Sequence, residues 1–172
     1  MHKDLYEHAE RFDDFLAGVT ANRELWHALS RRAAAPEDLT GRARAIPRTW
    51  RLLVILEDWC GDAVNIVPVI AALVGQAPNL EMRVIRRDEH PALMDAHLTG
   101  TSRSIPVVIL LDDHFEERAW WGPRPAELQR FVTGEAKALS KEARYRETRR
   151  WYAVDRGRST LTELLNQMDA AA

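Results

Sequence analysis

The chain opens on helical spacing and switches to strand patterning at residue 50. Residues 3–17 place Leu5, His8, Phe12, Phe15 and Leu16 roughly one helical turn apart, which predicts one amphipathic helix. Residues 22–33 predict a second, with Leu25, Trp26 and Leu29 on one side. APEDLTGRARAIP, 35–47, reads as a connection holding at most a short turn of helix. WRLLVILE, 50–57, is then a short continuous apolar run, the pattern of a central strand. GDAVNIVPVIAALVGQAP reads as a helix from residue 61, stopped by Gly75 and Pro78. LEMRVIRR, 80–87, alternates like a strand, and HPALMDAHLTG is a short helix ending at Gly100. IPVVILLDD, 105–113, is another strand, with FEERAWWG as its hairpin partner. PRPAELQRFVTG begins with prolines suited to a helix N-terminus and ends in glycine. Residues 135–170 are helix-prone, with a break at Asp155 to Arg158. In STLTELLNQMDAAA, a Ser-Thr cap precedes Leu161, Leu164, Leu165 and Met168 on one face, which must pack on this chain or on a copy of it.

From residue 50 the order is β-α-β-α-β-β-α. Strand-helix-strand units favour parallel pairing and the adjacent last two strands an antiparallel pair. The expected fold is α/β, a mixed central sheet with helices on both faces and extra helices at each end. At 172 residues and 46% hydrophobic, the chain suits one domain with a full core. A net charge of -2 offers no field for nucleic acid or an acidic membrane. The charged start, MHKDLYEHAERFDD, does not resemble a signal peptide, and no apolar run is long enough to span a bilayer. Cys60 is the only cysteine, which excludes an internal disulfide and favours a reducing, cytoplasmic setting.

Cys60 follows the first core strand, in EDWCGDAVNIVP, at a predicted helix start. Trp59-Cys60-Gly61, Pro68 eight residues after the cysteine, Ser104-Ile105-Pro106 before a strand and Gly122 after the hairpin together resemble the thioredoxin superfamily. A closer likeness is to a bacterial group of thioredoxin-like proteins with E-D-W-C-G-D at the site, R-S-I-P before the third strand and W-G-P-R-P after the fourth; here these are Glu57 to Asp62, Arg103 to Pro106 and Trp121 to Pro125. The resemblance implies a thioredoxin core over 48–134, a helical extension over 1–47 and another over 135–172. It also implies a cis-proline at Pro106 facing Cys60. Two departures agree with each other: Ala63 stands where the resolving cysteine belongs, and Val54 where thioredoxins bury an aspartate that serves the second thiol.

A helix N-terminus favours the thiolate through its free N–H groups and dipole. Arg103 would add a cation, whereas Glu57, Asp58 and Asp62 oppose a negative sulfur. The helix-start position tilts the balance toward a reactive Cys60. With Ala63 behind it, a mixed disulfide formed at Cys60 needs an outside thiol for release. The candidate site is therefore Cys60 as nucleophile, with Trp59, Gly61, Asp62, Ala63, Arg103, Ile105 and Pro106 as supporting or groove residues. Asp62 also fits a plain first-turn acid, and Trp59 plain packing. Two functions remain open: a monothiol exchanger or thiol-capture protein, whose partner is a cysteine-containing protein or low-molecular-weight thiol, and a non-catalytic interaction module with a degenerate site.

No cofactor is expected. Cys60-Gly61-Asp62-Ala63 lacks the aromatic and hydroxyl of cluster-binding monothiol glutaredoxins, and His90 and His97 are poorly spaced for a metal. KEARYRETRRWYAVDRGR, 141–158, mixes basic and aromatic residues, but Glu142 and Glu147 thread through it. A solvated helix face with an aromatic stripe against the body explains it better than nucleic-acid binding; the same aromatics would also suit a homodimer contact.

Overall fold

The computed structural model describes residues 2–171. The apolar run at 50–57 becomes β1 (Trp50–Leu56), and β3 (Val107–Leu111) is buried at every position. β1 pairs in parallel with β2 (Leu80–Arg86), Val54 opposite Val84. On its other side it pairs antiparallel with β3, Val54 opposite Val108. β4 (Glu117–Trp121) completes the sheet antiparallel to β3, in the order β2-β1-β3-β4. The sheet is mixed, but only the first strand-helix-strand unit gives a parallel pair. α5 (Gly61–Val74) has 14 residues, enough to carry the chain back along a strand. α6 (Pro91–Asp95) has five, a rise of about 7 Å, and the chain re-enters from the end where β2 finished.

The predicted first helix is two, α1 (His2–His8) and α2 (Phe12–Gly18). Between them Glu10 bridges the free edge of β2: its N–H donates to the Val84 carbonyl at 3.0 Å and its carbonyl accepts from the Val84 N–H at 2.9 Å. Unpaired edge groups need partners, and here that need overrides local helical spacing. α3 (Arg23–Arg32) lies where expected, with Trp26 fully buried. The connection at 35–47 holds a full helix, α4 (Glu37–Arg44), rather than a turn.

After β4 come α7 (Ala126–Thr133), α8 (Lys141–Asp155) and α9 (Arg158–Ala170), so helices flank the sheet on both faces and extend it at both ends. Ser140 caps α8, its Oγ accepting from the Ala143 N–H at 3.2 Å. Arg156 and Gly157 turn the chain through left-handed conformations (φ 52° and 80°) into α9. A Cβ on Gly157 would lie 2.3 Å from Val69 Cγ1, so this turn is seated directly on α5. The apolar face of α9 packs on this chain: Leu161, Leu164, Leu165 and Met168 are fully buried, and α9 contacts α4, α5 and β4. Arg158 with Asp38 and Arg42 with Asp169 tie α9's two ends to α4. No helix among the described residues is long and apolar enough to cross a membrane.

Candidate functional site

Cys60 is the N-cap of α5, and its Sγ accepts from the Ala63 N–H at 3.4 Å. The same sulfur donates to the Ile105 carbonyl at 3.4 Å. Ile105 and Pro106 are buried, and the peptide bond between them is cis. Gly122 holds this loop from behind: at φ 142°, its absent Cβ would lie 2.3 Å from the Pro106 carbonyl oxygen. Any side chain there would push β4 off the loop. The structure thus brings Cys60 and Ala63 together with Ile105 and Pro106 from two separate segments. Gly61 opens α5 and is exposed. Ala63 and Val54 are both fully buried, and Val54 has valines opposite it on both neighbouring strands. No acid occupies that strand position, and no second thiol exists.

Burial works against the thiolate that the helix start favours. Cys60 is only 7% exposed. Burial pushes its pKa above the ordinary thiol value, and the Asp62 carboxylate pushes the same way. The Ala63 and Asp62 N–H groups and the Arg124 guanidinium pull it down without overcoming burial. A protonated sulfur can donate to the Ile105 carbonyl, whereas a thiolate could not.

The electrostatic assignments also change. Arg103 is not the cation at the thiol: its guanidinium is exposed and forked onto Asp95 at 2.6 and 2.7 Å. Arg124, from the turn between β4 and α7, takes that part. It pairs with Asp62 at 2.5 Å. Of the three acids, only Asp62 faces the sulfur. Glu57 is buried and accepts from the Asp88 N–H at 3.0 Å, with Arg86 at 3.7 Å. Asp58 Oδ2 accepts from the Thr20 and Ala21 N–H groups at 2.9 and 3.0 Å and from the Thr20 hydroxyl at 3.2 Å. Its carbonyl accepts from Trp26 Nε1 at 2.8 Å. Burial alone would raise Asp58's pKa, but these donors hold it below the usual carboxylate range.

Asp62 is more than a first-turn acid, because Tyr152 of α8 donates its hydroxyl to Asp62 Oδ1 at 2.7 Å. Burial and the Asp62 charge raise the Tyr152 pKa far above that of a free phenol. Tyr152 is the buried member of the stripe on α8; Tyr145 is 53% exposed. Sequence reasoning missed both Arg124 and Tyr152 as site residues. Arg124 lay inside the W-G-P-R-P motif, a signal available to it; Tyr152, ninety positions from Asp62, had none. Trp59 is 49% exposed, with the Arg87 guanidinium 4.8 Å from its ring centre. His97 is a buried histidine, bonded to the Leu93 carbonyl and to Glu117.

A family model described as thioredoxin matches residues 9–144. The structure superposes on a protein of unknown function, PA1234, from Pseudomonas aeruginosa with a TM-score of 0.79 and 22% identity, over 99% of this chain and 98% of that one. It superposes equally, at 0.79 and 20% identity over 99% of both chains, on an HIV epitope-scaffold. A domain of the alkylhydroperoxide reductase AhpF from Enterococcus faecalis reaches only 0.41 over 56% of each chain. No curated protein matches the sequence. The two superpositions at 0.79 fix the fold; with the family match across the motif and the sheet, the chain belongs to the thioredoxin family.

Proposed function

We propose that this protein carries out half of a thiol–disulfide exchange. Cys60 captures a disulfide-bearing partner, and an external thiol releases it. The observation that supports this is the sulfur at the N-cap of α5, against the Ile105 carbonyl, with Ala63 where a second thiol would stand. In the forward step Cys60 loses its proton to solvent, and the thiolate attacks one sulfur of the disulfide. A new S–S bond forms as the old one breaks, and the leaving thiolate takes a proton. An outside thiol then attacks the mixed disulfide and regenerates Cys60. A cysteine-containing protein or low-molecular-weight disulfide is the partner class, and a reducing compartment such as the cytoplasm supplies the releasing thiol. Trp59 and the Ile105–Pro106 loop would flank an extended peptide.

The burial of Cys60 favours a second reading, an interaction module that keeps the groove and leaves the thiol idle. Intact-mass measurement with 2-hydroxyethyl disulfide separates the two. Capture gives one adduct per chain, forming faster as pH rises, reversed by added thiol and absent from Cys60→Ser. No adduct even at alkaline pH leaves the interaction module. In insulin reduction the native protein is expected to be essentially inactive and Ala63→Cys to gain activity; robust native activity would overturn the single-thiol reading.

A further inference from the structure

The Asp62–Arg124–Tyr152 cluster joins three elements at Asp62, two residues along the chain from Cys60, and the exchange chemistry above uses none of it. Asp62 belongs to the first turn of α5, Arg124 to the turn after β4 and Tyr152 to the C-terminal helix α8. Both carboxylate oxygens are engaged, one by the guanidinium and one by the phenol. Arg124 is itself braced, its Nη1 donating to Gln129 Oε1 at 2.9 Å. The groups facing Cys60 are therefore one anion, one cation and one neutral phenol, while Glu57 and Asp58 are bonded elsewhere. Elsewhere α8 meets chiefly α7, where Trp151 Nε1 donates to Glu127 at 3.4 Å, and its outer face exposes Tyr145 and Val154.

We propose that Asp62, Arg124 and Tyr152 form a latch through which α8 keeps Cys60 in its covered, resting thiol form, with Asp62 and Arg124 as opposed positioning residues for the sulfur and Tyr152 as the release point. This rests on Cys60 being the working group of the proposed exchange. A partner that displaces Tyr152 frees the first turn of α5 and uncovers the thiol. The two charges act through space on the thiolate with opposite signs, whereas the phenol carries no charge and acts on access. Their substitution should therefore separate in a pH profile, which general loosening of the fold would not do.

The experiment is the rate of iodoacetamide alkylation of the full-length protein against pH. Asp62→Asn keeps an oxygen for Tyr152 and removes the charge, so the midpoint falls and the rate at pH 7 rises several-fold. Arg124→Gln moves the midpoint upward. Tyr152→Phe keeps the ring, leaves the midpoint in place and raises the plateau rate several-fold. Hydrogen exchange on wild type and Tyr152→Phe adds a measurement that does not use the thiol: α8 amides should exchange faster in the variant. Equal midpoints in the two charge variants, shifts of the same sign, or an unchanged plateau and α8 exchange in Tyr152→Phe would overturn the latch. Alkylation needs no disulfide. Variants that respond as expected in a protein that never takes up a disulfide would defeat the exchange reading alone; disulfide uptake with identical profiles in all three would defeat the latch alone.

Discussion

Asp58 and Asp62 stand two residues to either side of Cys60, are the same residue type, and do different things. Asp58 is buried, and its side chain is held by donors from the N-terminal segment, two of them backbone N–H groups. Asp62 is partly exposed and is held by two side chains from the other end of the fold, Arg124 and Tyr152. Backbone donors cannot swing away without unfolding the segment that carries them, whereas a guanidinium and a phenol can change rotamer. The first aspartate fastens the N-terminal helices to the motif loop; the second couples the C-terminal helices to the sulfur. The two extensions thus grip the motif from both sides of the cysteine, one rigidly and one adjustably.

The comparison breaks most directly at Asp58. Asp58→Ala strands the Thr20 and Ala21 N–H groups and is expected to destabilise the protein by about 2–4 kcal/mol, read from the shift in urea midpoint. Asp62→Asn, which keeps an acceptor, should cost less than about 1 kcal/mol. The reverse ranking would mean that Asp62 is the fastener. The pH dependence of stability sharpens the same contrast. Asp58 has a depressed folded-state pKa, so its contribution is complete above the ordinary carboxylate value of about 3.9 and is lost as pH falls through the folded one. Cys60 has a raised one, so its contribution is complete below the ordinary thiol value of about 8.5 and fades as pH rises toward the folded one. Asp58→Asn should flatten the acid limb of a stability–pH curve and Cys60→Ala the alkaline limb. An alkaline limb untouched by Cys60→Ala would show that the thiol is not held in its neutral form.

The strands and the long helix were legible because each depends on local pattern: WRLLVILE has the length and composition expected of a central strand, and the spacing of Trp59-Cys60-Gly61, Pro68 and Ile105-Pro106 carries the resemblance within the chain itself. The break between α1 and α2 was not legible, because it answers to the free edge of β2, a partner 74 positions away. The sign of the thiol balance was not legible either. The helix N-terminus and the acids can be read from the sequence, but burial of the sulfur depends on how distant segments close over it. Arg103 was a reasonable cation by position, yet Asp95 engages it, while Arg124 reaches the site because the hairpin returns the chain to the cis-proline loop.

The smallest expected effect on stability is at Trp59, where the contrast between holding the motif and using it becomes sharpest. The ring is half exposed and its recorded partner is Arg87, stacked at 4.8 Å. An exposed cation–π contact contributes about 0.5–1 kcal/mol, so Trp59→Ala should change stability by less than about 1 kcal/mol. If the ring is one wall of a peptide groove, mixed-disulfide formation with a cysteine-bearing peptide disulfide should slow several-fold in Trp59→Ala. Capture of 2-hydroxyethyl disulfide, too small to reach the wall, should be unchanged. Equal slowing of both substrates would place Trp59 among the residues that position Cys60. Equal rates in variant and wild type would make it a surface residue whose neighbour happens to be a thiol. Only substrate-dependent slowing separates a groove from a support, because only a groove distinguishes a long partner from a short one.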